Sequence, residues 1–438
     1  MNLRLKALAC CALSAVVGAA PAVSAQTASK KRVPADPAQV ALNNLLVAAQ
    51  AAMERKDFPA AAQNYQDYLA KKPDDALVHF DLGYAWMSMQ KLNDAQGEYE
   101  KAISLDPKMG SAYLNLGLTL VDTDPPAAVA PLQKAVELAP NQPGPKFLLG
   151  VAFEKNHKLP EAIEQYQAAE ALDGANFDIR FALARVLLNT GHASEAEPEF
   201  RAAADMHPDD PVVRLGLAQS LLIQKRRDEG VAELGKYLAL QPDDVAARVA
   251  RASALVDLAK YEDALAELDR AAASGPEGLR ALKLRSQIYF EKKRYADAVP
   301  VLQKARTLAP QDPDLPARLG HVYLENKQYA NAIPELIAAF KMDATSDDVL
   351  KDLIVAQYLN TNYPAALEGL DLLSKRESLP PGSWFMRAAC YDKLAQPENA
   401  LEAYQKFLQL NKDTNNDMYF EAAARARALT RELRDKKR

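Results

Sequence analysis

A skeleton of small, large and proline residues returns every 34 positions along this chain. Units begin near 42, 76, 110, 143, 177, 211, 245, 279, 313, 347 and 381, and each step from 143 to 381 is 34 residues. The step from 110 to 143 is 33, and the missing residue falls near Asp124-Pro125-Pro126. Within each unit the pattern predicts two amphipathic helices. In 76–107 the first carries Leu82, Gly83 and Trp86 on one stripe, the second carries Ala95, Tyr99 and Ala102, and Pro107 closes the unit. The small residue of the first helix recurs as Gly117, Gly150, Ala184, Ala218 and Gly320, and that of the second as Ala128, Ala162, Ala196, Ala264 and Ala332. Two helices approach closely only where side chains are small. Proline ends each unit because it cannot continue a helix. One such pair cannot bury its own apolar stripe, so a run of them implies a stack with a continuous core.

Composition agrees with helix. Glycine is scarce, 17 of 438 residues, and aromatics are 7%, a balance that favours helix over sheet. Lys plus Arg is 53 against 58 Asp plus Glu, a net charge of −5. There is no basic excess to drive general nucleic-acid binding.

The period and the motif Leu82, Gly83, Trp86, Ala95, Ala102 and Pro107 resemble the tetratricopeptide repeat family, across about eleven units in 42–414. The resemblance implies an all-α, right-handed superhelical solenoid of stacked helix-turn-helix repeats, with first helices lining a concave face. The unit 347–380 departs most, because Ile354 stands in its small place. After the last unit, 415–438 predicts a solubilising cap helix, with Tyr419, Ala422, Ala426, Leu429 and Leu433 on one stripe and a basic tail.

Carrying the family's concave places over, residue by residue, gives a map of a partner-binding groove. Its N-terminal half is apolar: Phe80, Tyr84, Met87, Leu114, Leu118, Phe147, Val151, Phe181, Arg185, Leu188, then Leu215 and Leu222. Its C-terminal half is polar and net basic: Arg280, Lys283, Gln287, Arg318, His321, Lys351, with Tyr358. The expected occupant is a peptide segment or helix of another protein, apolar at one end and acidic at the other. The family's carboxylate grip by paired Lys and Asn is not expected, because Lys283 is followed by Gln287 and no neighbouring unit supplies the Asn.

Residues 1–25 have the layout of a secretory signal peptide: Arg4 and Lys6, an uncharged stretch from Ala7 to Ala20, and small residues at Val23-Ser24-Ala25. Cys10 and Cys11 loosely match a lipidation motif, but too few apolar residues precede them. Residues 26–41 predict a polar leader and the start of the first helix. Removal of 1–25 leaves Cys390 alone, so stability is expected from packing without an internal disulfide. The five histidines lie in separate units, and no zinc-protease, phosphate-loop, dinucleotide or nucleophile-elbow motif occurs. No catalytic residue, metal or cofactor is therefore assigned. The expectation is an exported, periplasmic or secreted, non-catalytic interaction scaffold of the cell envelope, for which pilus, polysaccharide-export and outer-membrane assembly are equally open. The alternative is an accessory subunit or carrier binding glycan or lipid for a synthase or export system.

Overall fold

The computed structural model describes residues 37–436, so the signal-peptide reading and most of the leader lie outside the described residues. Among the described residues there are helices and connecting turns and no strand. The chain forms two compact units that divide after Leu240.

The first unit holds six helix pairs. They are α1 (Pro37–Glu54) with α2 (Phe58–Leu69), α3 (Ala76–Ser88) with α4 (Leu92–Leu105), and α5 (Gly110–Leu120) with α6 (Pro125–Leu138). Then come α7 (Pro143–Lys155) with α8 (Leu159–Glu170), α9 (Phe177–Asn189) with α10 (Ala193–Met206), and α11 (Pro211–Ile223) with α12 (Arg227–Leu240). The second unit holds α13 (Val245–Asp257) with α14 (Tyr261–Ser274), α15 (Leu279–Glu291) with α16 (Tyr295–Leu308), and α17 (Asp314–Glu325) with α18 (Tyr329–Met342). It continues with α19 (Asp347–Leu359) and α20 (Tyr363–Ser374), α21 (Pro381–Lys393) and α22 (Pro397–Leu410), and ends on α23 (Asp417–Lys436).

Within a pair, close approach depends on one small residue meeting one large one. A Cβ on Gly83 would stand 2.8 Å from the ring of Tyr99, and one on Gly150 would stand 2.6 Å from that of Tyr166. Gly117 meets Leu132 and Gly320 meets Leu336 in the same way. In the most divergent unit the roles are exchanged. Ile354 on α19 is bulky, and Gly369 on α20 makes the room, since a Cβ there would lie 2.5 Å from Ile354 Cγ1. The departure seen at Ile354 is thus compensated on the partner helix.

Ten of the eleven turns within pairs use one backbone device. A residue in the left-handed region follows the first helix: Lys56, Gln90, His157, Gly191, Lys225, Ala259, Lys293, Lys327, Thr361 and Ala395. The next residue's N–H then reaches the carbonyl five positions back, as from Lys91 to Trp86 and from Lys260 to Leu255. This closure satisfies carbonyls orphaned at the helix end. The turn between α5 and α6 has no such residue, and Asp124 N–H closes one position shorter, on Leu120. The residue missing from that 33-residue step is the left-handed one. Nine of these positions carry a side chain there, at a steric cost glycine avoids. Ala259→Gly is therefore expected to stabilise by about 0.5–1 kcal/mol, and Gly191→Ala, at φ +85, to destabilise by about as much. Urea midpoints of the two variants should move in opposite directions. Movement in the same direction would remove the conformational explanation.

The cap helix α23 buries Ala422, Ala426 and Leu429. Arg425 turns back to Asp392 on α21, Nε to Oδ2 2.5 Å, an exposed inter-helix tie. Cys390 is buried, and desolvation pushes its thiol up to about 11. It is a small core residue.

Candidate functional site

In the first unit the mapped groove residues divide by burial. Phe80 and Phe147 are 7% and 5% exposed, and Val151 is buried too. Their register explains this. Each Phe lies three residues before the glycine that admits a tyrosine from the second helix, and it packs on that same ring. Phe80 lies 5.8 Å from Tyr99 and Phe147 lies 5.7 Å from Tyr166, centroid to centroid. These rings belong to the core cluster, so the mapped ladder of phenylalanines is not an open surface. Phe181 is half-buried, stacked on Phe177 at 5.7 Å. Tyr84, Met87, Leu114, Leu118 and Leu188 are half-buried. The Met87 sulfur accepts the hydroxyls of Tyr99 and Thr119, both at 3.8 Å. Arg185 is held by Glu154, Nη1 to Oε1 2.6 Å. The most exposed large apolar side chains on first helices of this unit are Val47, 65% exposed, and Leu77, Val212 and Ile223, each 59% exposed. The groove map leaves them out, although Leu77 and Val212 occupy equivalent places in their units.

Asp81 lies on α3 in the same region. Burial, with the like charge of Asp75, pushes its carboxyl up to about 7 from 3.8. A folded-state value above the unfolded one means that its stabilising contribution is present below about pH 4 and lost as pH rises through 7. Asp81→Asn is therefore expected to stabilise the chain by about 1–2 kcal/mol at pH 8, after discounting for partial exposure, and to give no gain at pH 4. Thermal melts of both proteins at the two pH values test this. Equal gains at both would exclude relief of a desolvated charge.

In the second unit the mapped cations have intramolecular partners. Lys283 Nζ contacts Asp312 at 2.7 Å and Asp314 at 3.1 Å. Arg318 Nε donates to Asp314 at 2.8 Å, and Lys351 contacts Glu377 at 3.0 Å. His321 Nδ1 lies 2.7 Å from Asp352, whose hydrogen bond holds the imidazole above its ordinary value. Arg280 is exposed. The expectation of a net basic face is corrected here. For Lys283 and His321 a carboxylate sits on the next first helix, 31 residues on, and a count of cations alone overlooks it.

Three mapped residues, Gln287, Arg318 and His321, come together. With Phe290, Glu291, Asp348 and Asp352 they line a cleft of about 400 Å³ formed by α15, α17 and α19. That volume lies in the range of small-ligand and side-chain pockets, ~300–1,000 Å³. Among the described residues no three of His, Cys, Asp or Glu are grouped to hold a metal ion. Nor is any described helix long and apolar enough to cross a membrane.

A charged clamp that repeats down the stack escaped the sequence reading. Arg180, Arg214 and Arg248, in the first turn of their helices, each donate Nε to a carbonyl six residues back, that of Gly174, Pro208 and Pro242. Each also donates Nη1 to a glutamate 19 residues on, Glu199, Glu233 and Glu267. His79 takes this place in α3, with Nδ1 2.6 Å from Glu98 and Nε2 2.8 Å from the Pro73 carbonyl. The clamp ties inter-unit turn, first helix and second helix together.

Comparison with known proteins agrees with this architecture. Two family models, both described as tetratricopeptide repeat, match residues 46–91, 87–143, 147–211, 181–245 and 249–313, and 317–346 and 381–414. The matched residues leave out 347–380, the unit in which Ile354 and Gly369 exchange roles. A rice (Oryza sativa subsp. japonica) protein, Protein SGT1 homolog, is 27% identical over 139 residues, 32% of this chain. The match spans 37% of that relative's length. Among solved structures, YrrB, described as a TPR protein with an unusual peptide-binding site, is 23% identical with a TM-score of 0.40, over 43% of this chain and 97% of YrrB. Yeast Tom70 is 14% identical with a TM-score of 0.33, over 91% of this chain and 97% of Tom70. With its small-to-large helix pairs in register and family models matched along most of its length, the chain belongs to the tetratricopeptide repeat family.

Proposed function

We propose that this chain is a non-catalytic scaffold of the cell envelope that holds a peptide segment or helix of another protein against its first helices. A tetratricopeptide array is a protein-interaction scaffold; the envelope setting and the kind of occupant are the proposal. One observation carries it: Leu77, Val212 and Ile223 are more than half exposed on first helices of the first unit. Large apolar side chains left in water mark a surface that a partner covers. The envelope setting rests on the signal-peptide layout of residues 1–25.

The test is photocrosslinking in intact cells of the source organism, with the reactive residue at Val212. Phe147 is too deeply packed to report. A single dominant envelope protein on the crosslink is the expected result. Crosslinks confined to lipid or glycan would replace the scaffold with the carrier reading, and a dominant cytoplasmic partner would remove the envelope setting.

A further inference from the structure

We propose that the cleft in the second unit receives a long cationic side chain, arginine or lysine, from a partner peptide. This rests on the peptide-scaffold reading and specifies the chemistry of one site.

The cleft has a floor, a wall and a rim of different character. Leu302 and Val322 are buried at its base, and Phe290 and His321 are half-buried along one side, ring centroids 5.1 Å apart. Glu291 and Asp348 are exposed at its edge.

Charge decides the occupant. Arg318 is neutralised by Asp314, and His321 by Asp352. Glu291 and Asp348 have no cationic side chain of the described residues within salt-bridge distance. Two carboxylates without a salt bridge thus overlook an apolar, aromatic-walled recess, and Lys351, the cation whose charge reaches Asp348, is itself in contact with Glu377. An acidic ligand would meet like charge there, and a purely apolar one would leave the rim unmatched. A lysine or arginine fits both parts. Its methylene stem covers the apolar floor, its cation approaches the face of Phe290, and its charge meets the rim. The length of such a side chain also suits a recess reached from a backbone lying along the first helices.

The experiment is selection of twelve-residue random peptides displayed on phage against the full chain, followed by fluorescence anisotropy of the best binder. Expected is a shared Arg or Lys beside apolar residues in the selected peptides. The Glu291→Gln/Asp348→Asn double variant should weaken that peptide about tenfold or more with helicity unchanged, and so should replacing its cation by norleucine. The norleucine peptide is read on the unaltered protein, so the result does not depend on how the double variant folds. Peptides that bind equally well without the cation, or that are acidic, would overturn the cationic cleft and leave the scaffold standing. Enrichment of no peptide at all would overturn both.

Discussion

Replacing Gly150 by leucine is expected to cost about 3 kcal/mol or more, and replacing it by alanine about 1 kcal/mol. The difference follows from what lies opposite. A Cβ on Gly150 would stand 2.6, 2.7 and 3.2 Å from three ring carbons of Tyr166. That ring is fully buried, and its hydroxyl donates to Glu154 at 2.9 Å, which Arg185 holds in turn at 2.6 Å. The ring is pinned at both ends and cannot swing aside. Overpacking of a well-filled core costs about 1–3 kcal/mol, more where neighbours cannot relax. Alanine is milder because the stack already shows an accommodated version: Ala388 and Tyr404, both buried, occupy the matching places in the 381 unit. The alanine methyl also recovers up to ~1 kcal/mol of helix propensity. A stack of repeats need not unfold in one step, so the sharpest measurement is amide exchange in α7 and α8. Leucine should accelerate exchange there most, and urea should report an earlier midpoint. A leucine variant within 0.5 kcal/mol of the parent would show that the glycine is not needed for helix approach. A compensated design extends the test. The 347 unit carries Ile354 with Gly369 and Leu370; moving that arrangement into the 143 unit as Gly150→Ile, Gln165→Gly and Tyr166→Leu should recover part of the loss. Isoleucine at 150 alone should not.

The same contacts show what is legible in a repeat sequence. Helix pairing was readable because it depends on residue size at fixed spacing, and a 34-residue comparison exposes size directly. Surface assignment was not, because a place on a first helix does not say whether a neighbour covers it. Phe80 and Phe147 lie where the family puts groove residues, yet each is drawn down onto a tyrosine that the adjacent glycine admits. Charge failed for a related reason. Lys283, Arg318, His321 and Lys351 read as a basic strip when cations are counted alone, yet Lys283 and His321 meet carboxylates on the next first helix, and Arg318 and Lys351 meet carboxylates within their own units. The arginine clamp was readable and unread. Arg180, Arg214 and Arg248 recur at 34, as do Glu199, Glu233 and Glu267, and asking which charges repeat in register would have paired them.

Glu267 turns that clamp into the second large prediction. Its carboxylate is 2% exposed and accepts from three guanidiniums: Arg248 at 2.9 Å, Arg251 at 2.7 Å and Arg270 at 2.7 Å. A buried charge is tolerated only where paired and hydrogen-bonded, and removing one partner strands the others. Glu267→Gln keeps the shape and deletes the charge. The expected cost is about 2–3 kcal/mol, just below the ~3–5 kcal/mol of a broken buried pair. It falls there because Arg248 retains the Pro242 carbonyl and Arg270 is exposed enough to be rehydrated. The order among the arginines follows from exposure: Arg248→Ala should cost most, Arg251→Ala less, and Arg270→Ala under about 0.5 kcal/mol. The comparison that isolates burial is Glu262→Gln. Glu262 pairs with Lys292 at the surface, where the lysine holds its carboxyl below the usual range. Its loss should be barely measurable in urea. If Glu262→Gln and Glu267→Gln shifted the midpoint alike, burial would not distinguish the two pairs, and the clamp would be an ornament of the stack. If only Glu267→Gln moves it, the tie between turn, first helix and second helix is what holds that repeat closed.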